Sequence, residues 1–290
     1  MGGIIDKITE FIKELLQGWV LTNVETMFTD VNDKVGTIAG EVSKTPSTWN
    51  SGIFDMIKTL SDNVMIPIAG MIISFVLVYE LISMVIDKNN LHDFNTAIFI
   101  RFFMKACIAV MLLSKTFDIV MAVFDVGSHI VNSAAATISG ETSIDVSSTL
   151  QTMFNEQFSE MSIGELLGLG METMIVSLCM KIMSVLITVI LYGRMIEIYL
   201  YVSVAPVPCA TVTNREWGTI GTNYFKGLCA LAFQGFFMMV CVAIYAVLVA
   251  GVAVSDNLHT ALWSVAAYTV ILCFSLFKTG SLSKSIWNAH

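Results

Sequence analysis

Five long apolar runs, at 65–86, 97–123, 171–192, 224–254 and 258–277, decide most of what this chain can become. Each reaches the roughly 20 residues that a helix needs to cross a bilayer. Inside a bilayer no water pairs with the backbone, so a segment of this kind must satisfy its own N–H and C=O groups, as an α-helix does. The expected fold class is therefore all-α: a polytopic helical membrane protein with about five transmembrane helices, a proline-broken membrane segment and N-terminal amphipathic helices. Composition agrees, since 56 % of the 290 residues are hydrophobic and only 13 % are charged. An ordinary soluble domain carries nearly twice that share of charge.

The broken segment is 193–212, where Pro206 and Pro208 interrupt an apolar run and the polar turn Asn214-Arg215-Glu216-Trp217-Gly218 follows. Proline removes a backbone donor and disfavours the α region for the residue before it, so 205–208 is not expected to continue a helix. Two readings stay open, a plain kink packed on its neighbours or a broken element lining an interface or path.

Upstream of the spans, Ile4, Ile8, Phe11, Leu15 and Trp19 fall at helical spacing opposite Asp6, Lys7, Glu10, Lys13 and Glu14. That pattern is amphipathic and too charged to cross a bilayer. Its mixed charge favours packing on protein over binding an anionic surface. Val24, Val35, Ile38 and Val42 suggest a second helix before Pro46. The chain thus divides into an amphipathic region at 1–64, two transmembrane helices within 65–126, an acidic extracytoplasmic loop at 127–170, and the remaining spans at 171–290. No cleavable signal pattern opens the sequence, so membrane insertion is expected to rest on the later helices.

Orientation follows from basic residues in short loops. Lys88, Arg215, Lys278 and Lys284 follow spans, whereas no Lys or Arg occurs between Lys115 and Lys181. The expected topology has the N-terminus and the loop holding Glu141, Asp145, Glu156 and Glu160 outside, and the C-terminus in the cytoplasm. A six-span alternative, in which the broken segment crosses fully, would put Arg215 outside.

Ionisable groups within apolar helices are the main chemical candidates, because a charge there needs a partner or water. They are Glu80, Lys181, Arg194 and Glu197. Arg194 and Glu197, three residues apart, are placed to pair on one helix face. The six cysteines and four histidines show no metal-ligand or disulfide spacing, and no nucleotide-binding, nucleophile-elbow or zinc-hydrolase motif occurs, so neither cofactor nor catalysis is expected. With a net charge of −8, the chain has no general electrostatic affinity for nucleic acid.

The runs Ala205-Pro206-Val207-Pro208, Asn214-Arg215-Glu216-Trp217-Gly218 and Ala232-Phe233-Gln234-Gly235, with Lys44-Thr45-Pro46-Ser47-Thr48-Trp49 upstream, closely resemble the TrbL/VirB-class polytopic membrane subunit of type IV secretion systems, in the form carried by Firmicutes conjugative elements. The resemblance implies a channel or scaffold subunit for conjugative transfer of DNA and protein. It further implies a homo-oligomer in membrane lipid that meets the coupling and secretion ATPases, other channel subunits and, transiently, the transferring DNA. The turn Asn214, Arg215, Glu216 and Trp217 is then the expected cytoplasmic partner contact. Two other readings of the residues stand beside it: a secondary transporter with its substrate site at the broken helix, and a structural membrane scaffold.

Overall fold

The computed structural model describes residues 2–86, 96–139, 158, 161–214, 216–252 and 258–289, and among these every regular element is helical. Helix α1 is Gly2–Ser43, α2 Pro46–Trp49, α3 Ser51–Leu60, α4 Ile66–Ile86, α5 Thr96–Ser114, α6 Thr116–Ser139, α7 Ile163–Val204, α8 Pro206–Thr211, α9 Gly218–Val252 and α10 Leu258–Ile286. Among the described residues, five helical stretches are long and apolar enough to cross a membrane: Ser51–Ile86, Thr116–Thr137, Ile163–Val204, Gly218–Val252 and Leu258–Ile286. The chain is an all-α polytopic membrane protein.

Three elements differ from expectation. The two amphipathic patterns join in the single helix α1, since nothing between residues 20 and 24 breaks a helix. The run at 97–123 divides at Lys115 into α5 and α6. Helical bonds bridge that joint, from Lys115 N to Met111 O and from Ile119 N to Lys115 O. The region expected as a loop at 127–170 is helical at both ends, because α6 continues to Ser139 and α7 begins at Ile163. Glu141, Asp145, Glu156 and Glu160 lie outside the described residues.

Pro67 sits just inside α4, and one wider turn over Ser61–Met65 precedes it. In that turn the Ile66 amide reaches back five residues to Ser61 O, which accommodates the donor lost at the proline.

The chain forms two compact units, one of residues 1–42, 131–191 and 237–279, the other of 43–130, 192–236 and 280–290. This division cuts through α6, α7, α9 and α10. In the first unit α1 packs on α7 through Val20, Val24, Met27, Ile38 and Val42, which are buried among Leu166, Leu169, Val176 and Ile187. Asn23 donates to Thr173 at 3.4 Å along this contact. At the outer end of α1, Ile4, Ile8, Phe11 and Leu15 remain exposed. The second unit holds two apolar clusters. One joins α6, α7 and α9 through Val120, Phe124, Ile198, Val202, Leu228 and Leu231; the other joins α4, α5 and α8 through Ala69, Ile73, Ala109, Leu113 and Ala210.

Candidate functional site

Helix α7 stops at Val204 and α8 starts afresh at Pro206. Ala205 keeps right-handed helical angles, φ −48° and ψ −39°, so the steric bias before proline has been overridden by packing. Val202 O, deprived of a donor from Pro206, accepts from Ala205 N at 3.3 Å. Both prolines then occupy the first turn of α8, where amide groups have no intrahelical acceptor and their absence costs little. The interruption is a helical elbow, tighter than the non-helical break expected. Gly221 lets α9 approach the elbow: a Cβ there would meet Pro208 O at 2.7 Å.

Asn214, buried at the end of the elbow, organises the polar turn. Its Oδ1 accepts from the amides of Glu216 at 2.8 Å and Trp217 at 2.9 Å, and Gly218 N bonds Asn214 O at 2.9 Å. This caps α9, whose first donors would otherwise lack acceptors. Asn214 Nδ2 donates at 3.3 Å to Glu80 Oε2 on α4, while Glu80 Oε1 accepts from Lys105 Nζ on α5 at 2.5 Å. The Glu80 side chain is only 12 % exposed, so both contacts offset the removal of a carboxylate from water. Tyr79 donates its hydroxyl to Glu216 Oε2 at 2.7 Å. Phe75 and Tyr79, one turn apart on α4, stack on the Trp217 indole with centroids 5.5 and 6.1 Å away. Helix α4 therefore holds this short turn at the start of α9, with α5 bracing Glu80 from behind, and Glu216 and Trp217 stay exposed. Arg215 lies outside the described residues.

The other intramembrane charges do not gather there. Glu197 pairs with Lys284 of α10 at 2.6 Å, rather than with its helical neighbour Arg194. Arg194 is buried, and its Nε has no hydrogen-bond partner among the described residues. Lys181 is exposed on α7. Among the described residues, no group of three or more His, Cys, Asp and Glu side chains is arranged to hold a metal. The site also contains Phe75, Tyr79 and Lys105, which were not singled out from the sequence. Their partners lie 25 to 142 positions away along the chain, beyond the reach of any local spacing rule.

Residues 31–206, more than half of the chain, match the model of the family described as TrbL/VirB6 plasmid conjugal transfer like protein. The chain belongs to the TrbL/VirB6 family. It is thus a multi-pass membrane subunit of a conjugal transfer, or type IV secretion, system and acts with other components of that system. The family match ends at Pro206, so it includes Glu80, Lys105, Lys181, Arg194 and Glu197 but stops short of the capped turn. No curated protein and no solved structure matches the chain.

Proposed function

We propose that this TrbL/VirB6 subunit is a non-enzymatic channel or scaffold component, which assembles as a homo-oligomer and assists passage of DNA and protein across the cytoplasmic membrane. The observation that carries this reading is the clamped turn. A short polar segment after a proline elbow is fixed by α4 at the start of α9, and its Glu216 and Trp217 stay available. A turn that served only to reverse the chain would need none of these long-range contacts.

In this reading the N-terminus is outside, the C-terminus is cytoplasmic, and the turn at 214–217 meets a coupling or secretion ATPase. The side chains of Arg215, Glu216 and Trp217 supply a cation, an anion and an aromatic face, a set suited to a protein partner. The part of the region at 127–165 that lies between the spans ending at Thr137 and beginning at Ile163 is assigned to the opposite side, where it contacts transferring DNA briefly. Its acidity keeps that contact transient, because phosphate binding grows with the number of cations presented. Lys181, exposed on α7, faces a partner or water within the assembly, as intramembrane charges generally do.

The experiment is a mating assay with the gene deleted and then restored, together with photocrosslinking from positions within 127–165. Deletion is expected to abolish transfer, and crosslinks are expected to trap the transferring strand. Unchanged transfer, or a monomer that moves a small solute into liposomes, would refute the channel-scaffold role.

A further inference from the structure

Between α6 and α9, wholly inside the second unit, runs an apolar groove of about 450 Å³. Ile119, Val123 and Val126 form one wall, and Cys229, Ala232 and Phe233 the other. Its floor is a close approach of the two helices, since a Cβ on Gly127 would meet Ala232 Cβ at 3.0 Å and Ala232 O at 3.1 Å. Both walls belong to stretches apolar enough to cross a membrane, so the groove opens at bilayer depth.

A charge lies one turn beyond the groove on α9. Lys226 precedes Cys229 by three residues and Phe233 by seven, which puts it on the same face of α9. Helical side chains lean toward the helix N-terminus, so the Lys226 ammonium is carried away from the apolar walls, toward the end of α9 that begins at Gly218. Among the described residues nothing pairs with this lysine. A slot with apolar walls and an unpaired cation one turn beyond them, toward the start of α9, is complementary to a molecule with an acyl chain and a phosphate.

We propose that the α6–α9 groove binds one anionic phospholipid, with an acyl chain along Val123, Val126 and Cys229 and the headgroup phosphate at Lys226. The groove follows α6 from Ile119 to Gly127, about 12 Å of helix, so it takes part of an acyl chain, and each buried methylene contributes to retention. The lysine supplies headgroup selectivity. This inference rests on the membrane fold and is independent of the transfer role, so either can fail alone.

The test is native mass spectrometry of the full-length protein purified in detergent, titrated with phosphatidylglycerol or phosphatidylcholine of identical acyl chains. The wild-type protein is expected to retain phosphatidylglycerol about fivefold better, the effect of one lysine near a headgroup. Lys226→Gln is expected to bring that ratio to about one. Val126→Trp, which fills the groove from an exposed wall position, is expected to reduce retention of both lipids; Ala122→Leu, on the same wall, replaces it should the tryptophan variant fail to fold. Equal retention of the two lipids by the wild-type protein, or an unchanged ratio in Lys226→Gln, would overturn the site. So would a lipid-free dimer crosslinked through Cys229, which would make the groove a contact between copies.

Discussion

Glu80 and Asn214 show how a carboxylate in an apolar helix is made tolerable and useful together. The carboxylate divides its oxygens between Lys105 and Asn214, and Asn214 spends its own oxygen on the cap of α9. Asn214→Ala removes the cap and the bond to Glu80 at once. Loss of a capping side chain typically costs about 1 kcal/mol. The variant is expected to melt several degrees lower in detergent, measured by temperature-dependent size-exclusion fluorescence. Glu80→Ala should cost more, since it removes the contacts to Asn214 and Lys105 together. A double-mutant cycle on Glu80 and Lys105 should give a coupling near 1 kcal/mol or above, beyond that of exposed pairs; a value near zero would mean that the pair is a surface contact.

The elbow belongs to the scale of elements. The two prolines were legible as an interruption, and so was the polar turn behind them. Their conformation was not, because the bias against α geometry before proline is small enough for tertiary packing of Pro206, Cys209 and Ala210 to outweigh it. Gly221→Val tests the packing directly. Its side chain has to displace the Pro208 carbonyl, and overpacking of this kind costs about 1–3 kcal/mol. The variant should show a lower melting point and faster proteolysis near the turn. Pro208→Ala, at a first-turn position where proline and alanine are both accepted, should leave the melting point nearly unchanged. A large loss there would mean that the elbow depends on proline itself.

At the scale of the whole molecule, sequence reasoning recovered the helical class and a count of five spanning candidates because hydrophobic length is a property of single segments. It missed that one spanning stretch takes in α3 through α4, that 97–123 divides at Lys115, and that four helices serve both compact units. Those features arise from contacts between residues far apart in the chain. The pairing of Glu197 illustrates the point: Arg194, three residues away, was the local choice, whereas Lys284 is the partner. The proposed topology makes a further prediction. A cysteine at Thr219 should react with a membrane-impermeant maleimide only after the cells are opened, and one at Ser147 should react on intact cells. Labelling of Thr219 from outside would favour six crossings.

The central claim is that the turn clamped behind the elbow is a working contact of the transfer machine. Its most direct test is the mating frequency of a strain that carries Arg215→Glu as its only copy, with the protein quantified in the membrane fraction. Transfer is expected to fall below detection while the membrane level stays that of the wild type. Normal transfer by that variant would contradict the claim and reduce the turn to a connection between helices.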